Sequence, residues 1–130
     1  MTLAFLGSVE TGRIAVIERA AREVAARAGV LVLDRPGVWR DLVWAGASAV
    51  PAEIDALALA LRGCLSRSGV EFDSKKFAAH VTLLRDARGP RLMPELEPIR
   101  WAVDGFALVR SRLQAGGSAY EVLKSWTLAT

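Results

Sequence analysis

His80 and Thr82 are the residues whose types and spacing most plainly invite chemistry in this chain. On a β-strand, residues i and i+2 point to the same face, so an imidazole and a hydroxyl stand side by side. An imidazole gains and loses a proton near neutral pH and serves there as acid or base. The neighbouring hydroxyl can donate a hydrogen bond to the same small anion. If that face lines a groove, the pair offers proton transfer and anion holding in one place. Arg85 follows at an odd offset, so an ideal strand turns it away; a bulge, or the strand's end at Asp86, could bring its guanidinium round to a phosphate. Taken alone, the H-x-T tripeptide is a weak signal that fits a buried histidine hydrogen-bonded to a neighbouring strand better than a site.

A related phrase opens the chain. Laid over "HVTLLRD" (His80–Asp86), "MTLAFLG" (Met1–Gly7) puts Thr2-Leu3 on Thr82-Leu83, and His80 falls on a position just before Met1. The remaining inventory excludes several chemistries. With one His and one Cys, a Cys/His zinc site cannot be assembled, and no internal disulfide can form. Cys64 lies beside the apolar stripe of a helix and reads as a small core residue, not a nucleophile. A lone cysteine suits a reducing compartment, so the expectation is a cytoplasmic protein.

The charge balance is +3, from 17 basic and 14 acidic residues interleaved along the chain, which suits an anionic ligand but forms no nucleic-acid-binding arm. Leu3–Leu6 is too short for a signal peptide, and no stretch approaches the ~18 to 20 apolar residues of a membrane span. A hydrophobic content of 52% over 130 residues predicts one folded domain, 1–130.

The elements that must position these residues follow from pattern. Met1–Gly7 reads as a buried strand. Ile14, Ile17, Ala21, Val24, Ala25 and Ala28 recur at helical spacing, predicting a helix over Arg13–Ala28 with Gly29 as its stop. Val30–Asp34 is a β-branched strand ended by an Arg35-Pro36-Gly37 turn, and "VWRDLVWAG" reads as one further strand. Pro51 opens a second helix with the stripe Ile54, Leu57, Ala58, Leu61 and Leu65, closed by Gly69. "AHVTLLR" is a strand after a polar loop, and residues 86–98 form a loop rich in Gly and Pro. "IRWAVDGFALVRSRL" is a long strand bent at Asp104-Gly105, returning through "QAGGS" as "AYEVLKSWTL". The order predicts an α+β fold with a mainly antiparallel sheet.

The strings "FAAHVTLLRDAR" and "WAVDGFALVRSRLQAGGSAYEVLKSW" resemble the second half of the 2H phosphoesterases, in particular the bacterial RNA 2′,3′-cyclic phosphodiesterases also called 2′-5′ RNA ligases. That family's second signature reads roughly F-x-P-H-[VI]-T-L-x-R, followed by F-x-L-[VI]-x-S and a G-x-x-Y-x-V-L hairpin ending in Trp. Ala79 stands here where Pro is usual, which would loosen the approach to the strand. The family's first strand reads H-x-T-L-x-F-L-G, and "MTLAFLG" matches it from the residue after the His. The resemblance implies a two-lobed fold of antiparallel sheets and outer helices, with two H-x-T strands facing across a groove. It also implies a chain that starts inside a longer family member, its first lobe incomplete. On the order of 30 to 40 upstream residues would then hold a strand, a helix and the first catalytic His.

The resemblance further implies chemistry without metal or cofactor. One His activates water and the other protonates the departing ribose oxygen, while two Thr hydroxyls hold the phosphate. On that reading His80 and Thr82 are catalytic, His80 leaning to the base, and Thr2 and Arg85 contact substrate. The partners would be RNA ends bearing a 2′,3′-cyclic phosphate, or small cyclic nucleotides. With the first His absent, weak or no activity is expected, the alternative being a non-catalytic binder of phosphate or RNA ends. A domain serving only as a subunit is the third reading, and a homodimer through the incomplete first lobe is expected.

Overall fold

Helix α2 (Ala52–Arg67) organises the molecule in the computed structural model, which describes residues 1–87 and 95–130. Pro51 precedes it, and Glu53 and Asp55 sit in its first turn, where carboxylates complement the positive end of the helix dipole. The stripe Ile54, Leu57, Ala58, Leu61 and Leu65 is buried throughout, as its spacing predicts. Gly69 ends the run with φ of 68°, a conformation that side-chain-bearing residues resist.

The two ends of α2 serve two cores. Ile54 and Leu57 pack with Leu31, Leu33, Ala45 and Val103. Leu61, Cys64 and Leu65 pack with Val70 and with Ile17, Ala20 and Ala21 of α1 (Ile14–Arg22). Leu31, Ile54, Leu57 and Leu65 are fully enclosed, and each such burial contributes about 1.5–3 kcal/mol.

Among the described residues, three antiparallel sheets surround these cores. β1 (Gly29–Leu33) pairs with β5 (Ile99–Val103). β2 (Arg35–Trp39), β3 (Leu42–Gly46) and β4 (His80–Leu84) form a three-stranded sheet in that order. β6 (Gly105–Gln114) and β7 (Gly117–Thr127) form a long hairpin around Ala115-Gly116. The architecture is α+β, with the expected break at Asp104 separating β5 from β6 so that each joins a different partner.

Three expectations fail in instructive ways. Among the described residues Met1–Gly7 joins no ladder; Phe5 is 64% exposed, while Met1, Leu3, Ala4 and Leu6 pack against the cores. The first helix stops at Arg22, six residues before Ala28. The segment after it runs beside the C-terminal tail, where the Ala28 N–H donates to the Ala129 carbonyl at 2.7 Å. That pairing satisfies backbone groups which a longer helix would otherwise have held.

Arg35-Pro36-Gly37 is not a turn but the start of β2, and "VWRDLVWAG" is split between β2 and β3. Pro36 is tolerated because β2 is an edge strand. The reversal falls instead at Arg40-Asp41, with Arg40 at φ of 56°. The Gly- and Pro-rich loop lies partly outside the described residues, and Glu95–Pro98 hold no regular structure.

Candidate active site

His80 opens β4, directly paired with Gly46, and Thr82 pairs with Trp44. The period of two puts imidazole, hydroxyl and indole on one face of the sheet, away from the core face that carries Ala45 and Val81. The indole has room there because its other neighbours are glycines. A Cβ on Gly37 would lie 2.0 Å from Trp44 Cζ2, and one on Gly46 would lie 2.8 Å from Cζ3. Trp44 meets the His80 ring edge-on, with centroids 6.4 Å apart and planes at 73°.

The tautomer of His80 follows from one contact. Its Nδ1 lies 2.8 Å from the Ala78 carbonyl oxygen. A carbonyl can only accept, so Nδ1 carries a proton, and in the neutral ring Nε2 is the nitrogen that accepts. Ala79, standing where the family pattern has Pro, is buried, and its carbonyl accepts the Ala47 N–H at 3.3 Å. The approach to β4 is therefore anchored.

The register of β4 slips once. Trp44 pairs with Thr82 and its neighbour Val43 with Leu84, so Leu83 is left over as a bulge. The bulge restarts the alternation, and Arg85, one residue past the strand, comes round to the side of His80 and Thr82. This is the route by which an odd offset becomes a shared groove.

Thr2 arrives from the other end of the chain. Its segment has no strand partner among the described residues and is held at two carbonyls. Arg62 Nε donates to the Leu3 oxygen at 3.1 Å, and the Asp73 N–H donates to the Phe5 oxygen at 2.8 Å. Arg62 is itself fixed: Nη1 donates to the Lys75 carbonyl at 2.7 Å, and the guanidinium lies 5.5 Å above the Phe72 ring.

Thr2, His80, Thr82, Arg85 and Tyr120 line one groove of about 440 Å³, together with Met1 and apolar residues of β4. All four residues singled out from sequence are thus gathered. A slightly larger concavity, about 460 Å³, lies among Val24–Arg27, Thr127 and Ala129, and has no proton-transfer group at neutral pH. The groove at His80 offers an imidazole, two threonine hydroxyls, a phenol and a guanidinium, a set suited to an anion and to moving one proton.

Tyr120, Trp44 and Arg62 were not singled out from the sequence. The available signal for Tyr120 was its place in the G-x-x-Y hairpin phrase; Trp44 and Arg62 carried none, since their partners are set by tertiary contact. Among the described residues, no group of three or more His, Cys, Asp or Glu side chains is placed to hold a metal ion. No described helix is long and apolar enough to cross a membrane.

No protein-family model matches the chain. Individual proteins do. The RNA 2′,3′-cyclic phosphodiesterase of Escherichia coli K12 is 34% identical over 132 aligned positions, covering 98% of this chain and 74% of that protein. The protein of the same name from Thermus thermophilus is 47% identical over 55 residues, 42% of this chain and 28% of its own length. Among solved structures, E. coli LigT complexed with 3′-AMP superposes with a TM-score of 0.88 at 33% identity, covering 99% of this chain and 76% of that one. LigT has also been solved with NADP+, with ATP and with phosphate. Identity at this level over nearly the whole chain, on the same fold, shows that the chain belongs to the RNA 2′,3′-cyclic phosphodiesterase family of the 2H phosphoesterases.

Proposed function

We propose that the groove at His80 holds the 2′,3′-cyclic phosphate of an RNA end, or of a small cyclic nucleotide, and opens it to a 2′-phosphate. The observation that carries this reading is the convergence of Thr2, His80, Thr82 and Arg85 on one groove. His80, with Nε2 unprotonated, takes a proton from the attacking water. Water oxygen bonds to phosphorus, the P–O3′ bond breaks, and the departing 3′ oxygen takes its proton from solvent. The Thr2 and Thr82 hydroxyls donate to non-bridging oxygens, and Arg85 balances their charge. With an RNA 5′-hydroxyl as the other reactant, the reverse reaction makes a 2′-5′ linkage. The names and ligands of the relatives, phosphate and 3′-AMP among them, support the same ligand class.

The leaving oxygen needs its own acid, and the 130 residues contain one histidine. A positioned acid or base is worth about 10²- to 10⁴-fold in rate, so turnover by this chain alone is slow by about that factor. Binding does not carry the same penalty. The test is phosphate titration followed at the one imidazole of the chain by NMR. A saturable shift, lost in Arg85→Ala, supports the reading; an unmoved resonance at saturating phosphate overturns it. Binding without any turnover would favour the non-catalytic binder.

Two finer readings accompany this one. Residues 1–130 act as one domain in the cytoplasm, where a free buried Cys64 stays reduced. Among the described residues the β1–β5 sheet is two-stranded, with Val30 40%, Ile99 49% and Trp101 37% exposed, and a second copy covers its edges. Light scattering on dilute protein decides the latter: a stable monomer with a two-state melt rules the dimer out.

A further inference from the structure

We propose that Trp44 is a positioning residue for His80, its indole holding the imidazole so that Nε2 stays turned to the groove. This rests on the cyclic-phosphate reading above and assigns a second side chain to its base step. The Ala78 contact leaves one freedom open. An imidazole turns about its Cβ–Cγ bond over a broad range, and a single hydrogen bond pins it at one point only. The Nδ1 contact with the Ala78 carbonyl at 2.8 Å is that point. A second contact is needed to set the plane of the ring.

Trp44 supplies it. Gly46, two residues further along β3, is the partner of His80, and the Cζ3–Cε3 edge of the half-buried indole is turned to it. A Cβ on Gly46 would lie 2.8 and 3.2 Å from those two atoms, while Cζ2, Cε2 and Cη2 lie over Gly37 of β2. The absence of side chains at both positions lets a large rigid ring rest against the sheet beside His80. The two rings meet at 73° with centroids 6.4 Å apart, inside the range of about 4.5–7 Å for an attractive edge-to-face pair. Trp44 is not among the residues that line the groove, so it acts through His80 and not on the ligand. With the carbonyl at Nδ1 and the indole against the ring, Nε2 is the nitrogen left for the attacking water.

The groups assigned to the phosphate are separate from this device. Thr2, Thr82 and Arg85 line the groove themselves and keep their hold on the anion whichever way the imidazole is turned. A missing indole, unlike a displaced one, crowds neither His80 nor the anion. Its loss should slow the proton transfer without loosening the substrate, since a small misplacement of a reacting group costs rate and not affinity.

The experiment replaces Trp44 by Phe in the full chain and reads the His80 tautomer by long-range proton–nitrogen NMR correlations. The parent should show one neutral tautomer, protonated at Nδ1, and Trp44→Phe a mixture of both. Single-turnover opening of an oligonucleotide ending in a 2′,3′-cyclic phosphate should slow by about 10- to 10²-fold, with the half-saturating concentration unchanged. Trp44→Leu keeps apolar bulk over the glycines without a flat edge, and gives the same two readings should Trp44→Phe fail to fold. A folded variant that keeps the single Nδ1-protonated tautomer overturns the proposal. A loss expressed only in the half-saturating concentration also overturns it, because Trp44 would then belong to the ligand's seat. If the parent chain opens no cyclic phosphate, the underlying reading fails, and the tautomer measurement still decides whether Trp44 sets the imidazole.

Discussion

Adding one methyl group at Gly37 should disturb His80 without touching it. The new Cβ would lie 2.0, 2.3 and 2.4 Å from Trp44 Cζ2, Cε2 and Cη2. Carbon atoms rest about 3.5–4.0 Å apart, so the indole must move by about 1.5 Å or leave. Overpacking of this kind costs about 1–3 kcal/mol. The displaced indole cannot keep its edge contact with the His80 ring, now at a centroid distance of 6.4 Å. Gly37→Ala should therefore lower the denaturation midpoint, shift the one imidazole resonance of the chain, and weaken phosphate binding. The double variant Gly37→Ala/Trp44→Phe separates the two effects. A smaller ring relieves the overlap and recovers stability, while the His80 resonance stays displaced because the indole edge is gone. Non-additive stability in this pair is expected of residues in contact. An unchanged melt and an unmoved His80 resonance in Gly37→Ala would refute the reasoning.

Other consequences follow from residues away from the groove. Arg62→Met keeps the aliphatic stem but removes the donors to the Leu3 and Lys75 carbonyls; such charged hydrogen bonds are worth about 1.5–3 kcal/mol each. Stability should fall by about 2 kcal/mol or more, and phosphate affinity should fall with it as Thr2 loses its anchor. Unaltered phosphate affinity in a folded Arg62→Met protein would show that the Thr2 segment holds itself. Acid stability should depend on Ser48, whose hydroxyl and N–H donate to the Asp34 carboxylate at 2.6 and 2.8 Å and hold its pKa below the usual carboxylate range. A lowered folded-state pKa stabilises above the unfolded value, about 3.9, and that contribution is lost as pH falls through the folded value. Ser48→Ala should thus be less stable than the parent in urea at pH 7, the gap narrowing below about pH 4. An equal gap at both pH values would contradict this.

The parts of the fold legible in the sequence are those set by local periodicity. Helix α2 declared itself through a stripe every member of which is buried. The break at Asp104 followed from a glycine in a long apolar strand. The β2–β3 hairpin was hidden because Arg35-Pro36-Gly37 has the composition of a turn, whereas Gly37 is there to make room for an indole. Arg40, which takes the left-handed conformation at the real reversal, gives no such signal.

In the site, His80 and Thr82 were readable from a period of two. Arg85 was readable only on condition of a bulge, which pairing with β3 supplies. Arg62 lies 59 residues from the Leu3 carbonyl it holds, and no local pattern encodes a contact at that separation. The strand expected over Met1–Gly7 failed for the same reason: a strand is defined by its partner, and none pairs with it among the described residues.

The most direct measurement of the central claim is single-turnover opening of an oligonucleotide ending in a 2′,3′-cyclic phosphate, with excess chelator, by the chain and by His80→Ala. The expected result is slow conversion to the 2′-phosphate that chelator does not change and that His80→Ala lowers by about 10²-fold or more. A 3′-phosphate product, abolition by chelator, or equal rates for the two proteins would contradict it.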